Sequence, residues 1–334
     1  VKAPTIQVAD GAGGTDPQAI SVSVTSVNDN NPVINSDGGA ATAAVNVAET
    51  STTVTTVTAT DADLPAQTLN YTITGGADAA LFGINAGTGA LTFLAAPDYD
   101  THNEAKTDNV YEVTVKVDDG AGGTDTQAIS ITVTPVNESN PVISSDGGGA
   151  TAAINVAENT STVTTVTATD ADLPAQTLNY TITGGADAAL FGINAGTGAL
   201  TFLAAPDYEV PADANTDNVY EVTVQVDDGA GGTDTQAISV SITPVNDNNP
   251  VITSDGGGAT AAVNVAENST AVTTVTATDA DLPAQTLIYS ITGGADAALF
   301  NINASTGALT FLAAPDYETP ADANTDNVYE VTVK

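Results

Sequence analysis

The chain has 334 residues, 41 acids against four lysines, no arginine, a formal net charge of −37 and no cysteine. That charge makes nucleic acid and anionic lipid poor partners, and the absence of cysteine removes disulfides and thiolate chemistry. No apolar run approaches the length of a membrane span, so membrane insertion of this segment is not expected; no signal peptide is visible in it.

A period of 109 residues organises the chain. Val-Asn-Asp-Asn-Asn-Pro-Val-Ile occurs at Val27–Ile34 and Val245–Ile252, with Val-Asn-Glu-Ser-Asn-Pro-Val-Ile at Val136–Ile143, and Thr58–Tyr99 repeats as Thr167–Tyr208. Such a period indicates tandem domains rather than a short-period solenoid. The expected division is residues 1–31 as the C-terminal part of a preceding repeat, repeats at 32–140 and 141–249, and a third at 250–334 that lacks its last strand. Val1 aligns with Val328 and both chain ends fall inside expected strands, so the chain is read as a piece of a longer polypeptide.

Within the second repeat, Ala152–Glu158 opens the first strand, with Ile154 and Val156 on one face. Thr162–Thr169 is a β-branched strand ended by Asp170-Ala171-Asp172-Leu173-Pro174. Leu178–Thr183 alternates, with Leu178, Tyr180 and Ile182 inward, and stops at Gly184-Gly185. Leu190–Asn194 and Ala199–Leu203 flank Ala-Gly-Thr-Gly, with Phe191, Ile193, Leu200 and Phe202 as core bulk. A polar loop from Asp207 to Asn218 precedes the sixth strand, where Tyr220, Val222, Val224 and Val226 alternate strictly. After the turn Asp228–Gly232, Ile238, Val240 and Ile242 line the seventh strand, which runs into the proline hinge. Seven short strands of period two, with no window of period 3.6, predict an all-β fold. The expected architecture is a tandem of seven-stranded antiparallel Greek-key sandwiches placed end to end as a rod.

The acids recur at fixed places that a sandwich puts at the ends of its strands. Carboxylates gathered there repel one another unless a cation intervenes. An oxygen-only donor set with a single histidine favours Ca²⁺ over zinc, and Mg²⁺ usually keeps several waters. The ordered motifs Val-Ala-Glu-Asn, Thr-Asp-Ala-Asp, Phe-Gly-Ile-Asn-Ala-Gly-Thr-Gly-Ala-Leu, Pro-Asp-Tyr-Glu, Tyr-Glu-Val-Thr-Val-Gln-Val-Asp-Asp-Gly and Val-Asn-Asp-Asn-Asn-Pro resemble the cadherin repeat over essentially every unit. The short loops and near-identical copies are similar to bacterial cadherin-like repeats of giant surface proteins.

The resemblance implies three calcium ions between successive repeats. It implies ligands Glu49, Asp98, Asp100, Asn137, Glu138, the Ser139 carbonyl, Asp170, Asp172 and Asp228 between the first and second repeats. For the next junction it implies Glu158, Asp207, Glu209, Asn246, Asp247, the Asn248 carbonyl, Asp279 and Asp281. Asn28, Asp29, Asn30, Asp61, Asp63 and Asp119 form the first set, Glu267, Asp316 and Glu318 the far one, and Asp10 is the counterpart of Asp119. The chain departs from the family pattern where Ser26, Pro135 or Pro244 replaces the Asp two places before the hinge Asn, in Asp100 for Glu, and in the Asn-Glu-Ser hinge.

Other signals read as structural. His102 is expected to be solvated, as are Asp78, Asp187 and Asp296, and Asp228–Asp234 is read as a hairpin turn rather than a β-roll calcium repeat. Asn159 and Asn268 head glycosylation triplets. No nucleophile–base pair recurs, which argues against an enzyme. The expected role is a calcium-rigidified rod of a secreted or cell-surface adhesin or extracellular filament. Its expected partners are other copies of the chain, met head-to-tail or by chain continuation, and a cell-surface protein or polysaccharide. The alternatives are a polysaccharide-binding module and a spacer of a large secreted enzyme.

Overall fold

The computed structural model describes residues 4–334; the expected strand at Val1 lies outside them. The chain divides into two compact units, one of residues 4–139 with Ala171–Gln176, the other of Asn140–Asp170 with Thr177–Lys334.

In the first unit, β1 (Thr5–Ala9) and β2 (Thr15–Ala19) form an antiparallel hairpin. Its Ile6 and Val8 are 57% and 71% exposed, so the hairpin covers no core among the described residues. The first complete copy follows as β3 (Val33–Ile34), β4 (Thr42–Ala48), β5 (Thr53–Thr56), β6 (Ala59–Thr60), β7 (Asn70–Gly75), β8 (Phe82–Ile84), β9 (Ala90–Phe93), β10 (Val110–Asp118) and β11 (Thr124–Thr134). One sheet has the order β4-β11-β10-β7, the other β5-β9-β8, and β3 pairs with β6. The two halves β3 and β4 are one strand that changes sheets, and β5 and β6 one strand interrupted at Val57, which gives the expected seven.

One pairing departs from the antiparallel expectation: β4 runs parallel to β11. The chain leaves β3 through a tight turn at Ser36–Gly38, where Asp37 and Gly39 have φ of 49° and 66°, and meets the edge of the other sheet in the same direction as β11. Asp125 Oδ2 accepts the Ile34 amide at 2.8 Å, and the buried Gln127 donates Nε2–H to the Ala40 carbonyl at 2.9 Å. Those bonds satisfy the crossover's backbone, as burial requires.

Period two decides the core. Tyr111, Val113, Val115 and Val117 of β10, and Ile129, Ile131 and Val133 of β11, are buried on one face. Phe82 and Phe93 lie 4.5 Å apart, and Tyr111 meets Phe93 edge-on at 5.1 Å. Each such aliphatic or Phe side chain contributes about 1.5–3 kcal/mol on burial.

In the second unit the second copy repeats this plan, with strands from Thr151–Ala157 to Thr233–Thr243 in the expected order and a core of Tyr180, Phe191, Phe202, Tyr220, Val222, Val224, Val226, Ile238, Val240 and Ile242. Gly198 has φ of 69° and sits so close to the chain that an added Cβ would fall 2.0 Å from the Val166 carbonyl oxygen, which accounts for glycine there. In the third copy, residues 260–266, the counterpart of Thr151–Ala157, take no ladder. The ladder partner of Thr151–Ala157 is Ala237–Thr243, and the third copy has no counterpart of that partner among the described residues.

Candidate metal centres at the strand ends

The acids sit where strands stop. Glu49 follows β4, Asp61 and Asp63 follow β6, Asp98 and Asp100 lie in the loop after β9, and Asp119 follows β10. In the first unit, oxygens of Glu49, Asp98, Asp100 and Glu138 all lie within 4.8 Å of one another. Glu49 is 1% exposed; its Oε2 accepts the Tyr99 amide and its Oε1 the Val136 amide, each at 2.6 Å. One carboxylate thus ties the loop after β9 to the segment after β11 and keeps lone pairs for a cation. Asp98 Oδ1 accepts the amides of Asp100 and Thr101 at 2.9 Å. The side-chain and backbone donors of Thr101 hold Asp98 below the ordinary aspartate range. Glu138 is pushed above its ordinary value by burial and by the charges of Glu49, Asp98, Asp100 and Asp172. This is the repulsion that a hard cation would relieve.

Asp172 accepts the amides of Glu138 and Ser139 at 3.2 Å, and Leu173 donates its amide to Asp100 Oδ1 at 2.8 Å. At the first hinge, Asn30 donates its side-chain amide to Asp63 Oδ1 at 2.6 Å and its backbone amide to Oδ2 at 3.0 Å, which holds Asp63 below the ordinary range. Asn28 donates to Asp119 Oδ2 at 3.2 Å, Asn30 also reaches Asp29 Oδ1 at 3.0 Å, and Asp61 Oδ1 accepts the Asp63 amide at 2.9 Å.

The second unit holds the equivalent set. Glu158, Glu209 and Asp247 bring oxygens within 4.8 Å of one another. Glu158 Oε2 accepts the Tyr208 amide at 2.8 Å, and Oε1 accepts the Val245 amide. Asp207 Oδ1 accepts the Glu209 amide at 2.9 Å, and Asp279 Oδ1 the Asp281 amide at 3.0 Å. Asp281 accepts both the backbone and side-chain amides of Asn248. Burial pushes Asp281 up and the Asn248 donors pull it down, with a net value below the ordinary range. Asn246 turns its side-chain amide to Gln285 at 2.8 Å. Glu267, Asp316 and Glu318 form a third, exposed group. Asp170 is half-buried just after Ala168–Thr169. Asp228 Oδ1 accepts the amides of Ala230, Gly231 and Gly232, and Asp10 and Asp119 accept turn amides in the same way.

The Cadherin domain family matches residues 43–134, 152–243 and 261–334. The chain belongs to the cadherin family. It is 32% identical over 265 residues to the protocadherin-like wing polarity protein stan of Drosophila melanogaster, covering 74% of this chain and 7% of that protein. To human protocadherin Fat 4 it is 31% identical over 281 residues, covering 82% and 5%. Both relatives are animal proteins, and neither speaks for the bacterial likeness. Among solved structures, human CDH23 EC21-23 superposes with a TM-score of 0.63 at 23% identity, covering 86% of this chain and 92% of that one. Protocadherin Gamma B2 extracellular cadherin domains 1-5 gives 0.60 at 22% identity, covering 94% and 59%. The fold is that of extracellular cadherin repeats, and no helix among the described residues is long and apolar enough to cross a membrane.

Two expectations need correction. Asp78, Asp187 and Asp296 are not solvated. Asp187 is 5% exposed and accepts the amides of Ala214 at 2.7 Å and Glu221 at 2.8 Å, and the other two make the equivalent pairs. His102 is not simply solvated either, since its Nδ1 lies 3.2 Å from Oε1 of the buried Glu104. The residues that sequence reasoning missed are Gln176, which donates to Asn137 Oδ1, and Gln285, which donates to Asp281 at 3.3 Å. The recurrent Ala-Asp-Leu-Pro-Ala-Gln string was the signal for both.

Proposed function

We propose that the chain is a calcium-rigidified, non-catalytic spacer of an extracellular adhesion protein or filament. The observation that carries this reading is the gathering of Glu49, Asp98, Asp100 and Glu138 oxygens within 4.8 Å, with Glu138 driven above its ordinary value. Four carboxylates and no nitrogen or sulfur donor suit a hard cation that takes six to eight oxygens. In the second unit, Glu158, Asp207, Glu209, Asp247, Asn248, Asp279 and Asp281 supply the equivalent donors. The ion neutralises the carboxylates, and the hinge amides held by Asp172 and Asp281 fix the hinge's backbone. Adhesive specificity then lies in lateral contacts or in other parts of the full-length protein. Head-to-tail continuation of the repeats, by the same chain or by another copy, is the expected assembly.

Small-angle scattering with Ca²⁺ and with chelator tests the reading. A maximum dimension that falls on chelation and returns with Ca²⁺ supports it; a profile indifferent to Ca²⁺ overturns it.

A further inference from the structure

Each hinge asparagine is followed, thirty-nine residues later, by a glutamine: Gln67 after Asn28, Gln176 after Asn137 and Gln285 after Asn246. At two hinges the side-chain amides of the pair meet, and they meet in opposite senses. Gln176 donates Nε2–H to Asn137 Oδ1 at 2.5 Å, whereas Asn246 donates Nδ2–H to Gln285 Oε1 at 2.8 Å. At the remaining hinge, Asn28 donates Nδ2–H to Asp119 Oδ2 at 3.2 Å instead. A carboxamide accepts at one end and donates at the other, so the sense of the pair decides which end of the asparagine faces away from the glutamine.

The glutamine oxygens follow that difference. Oε1 of Gln67 and Oε1 of Gln176 are buried without a hydrogen-bond partner, while Oε1 of Gln285 has Asn246. A buried carbonyl oxygen left so is costly, and the sense seen at Asn246 removes the cost. Gln285 also donates Nε2–H to Asp281 Oδ2 at 3.3 Å, so it joins two candidate ligands, Asn246 and Asp281. A hard cation is met by an asparagine's Oδ1 and never by its Nδ2, so the sense at Asn246 is the one compatible with ligation.

We propose that Gln176 and Gln285 are positioning residues for the hinge asparagines: by accepting Nδ2–H, each turns the asparagine's Oδ1 toward Ca²⁺, and the pair at Asn137 reverses to the sense seen at Asn246 when the ion is bound. This role rests on the calcium reading above and belongs to residues that do not touch the ion. Glutamine suits the place because one amide can donate in the first sense and accept in the second.

Calorimetric titration of the full chain with Ca²⁺, in two backgrounds, tests this. Gln176→Ala/Gln285→Ala should weaken Ca²⁺ binding at these hinges by about 10–100-fold, as loss of an outer partner of a metal ligand does. In an Asn137→Asp/Asn246→Asp background the same two changes should weaken it less, because a carboxylate offers an oxygen in either sense. Parental affinity in the first variant overturns the proposal. So does an equal or larger loss in the aspartate background, which would give the glutamines a packing role only. Asp281→Ala separates the two readings: if it weakens binding while the glutamine variant does not, the positioning role falls and the strand-end sites stand. A parent chain that binds no Ca²⁺ overturns both.

Discussion

The backbone amide of Leu282 donates to Oε1 of Glu209 at 2.8 Å, across seventy-three residues of chain. Glu209 belongs to the group that also gathers Glu158 and Asp247, so one carboxylate serves both as a candidate ligand and as a tie between the second and third copies. In the first unit Asp100 makes the same bond to Leu173 at 2.8 Å, although its side chain is one methylene shorter. The exchange of Glu for Asp at that place is therefore accommodated by the backbone. Replacing Glu209 with Ala removes a ligand and a hydrogen bond. Calorimetric titration should show weakened Ca²⁺ binding, and in chelator the loss should be only about 0.5–1.5 kcal/mol, the worth of one hydrogen bond.

Asp172 and Asp187 lie fifteen residues apart and should respond differently. Asp172 accepts hinge amides at the strand end, so Asp172→Ala should lower both Ca²⁺ affinity and the stability that Ca²⁺ adds. Asp187→Ala removes the acceptor of the part-buried bonds from the Ala214 and Glu221 amides, which should cost about 0.5–1.5 kcal/mol for each bond lost. That loss should appear equally with Ca²⁺ and with chelator. Melting curves of both variants in the two conditions check the contrast.

Alkali should act on the core rather than on the strand ends. Burial, and then the nearby charges of Glu104 and Asp78, push the Tyr111 phenol up to about 12, while its hydroxyl donates to Asn103 Oδ1 at 2.6 Å. A phenol in the unfolded chain ionises near 10. The folded value is the higher, so the contribution of neutral Tyr111 is whole below about 10 and is lost as pH rises through about 12. Phenolate absorbance should show a late step near 12, and the Tyr111→Phe variant should lack it.

What was legible in the sequence follows from what repeats locally. The alternation of Tyr220, Val222, Val224 and Val226 declares its own buried face, because side chains on a strand have period two. Glu158, Glu209 and Asp247 were legible because ordered motifs name them one by one. The parallel run of β4 against β11 was not, since it depends on a chain that changes sheets at Ser36–Gly38. Asp187 was not, because a solvated loop carboxylate and one that accepts amides twenty-seven and thirty-four residues away read alike.

Calcium binding by the folded state alone raises its stability by mass action, by about 2.7 kcal/mol per site at a hundredfold excess over the dissociation constant. The most direct test of the account is therefore the melting temperature of the intact chain in Ca²⁺, in Mg²⁺ and in chelator. The account predicts a fall of many degrees on chelation, restored by Ca²⁺ and only slightly by Mg²⁺. An unchanged melting temperature in excess chelator would contradict it.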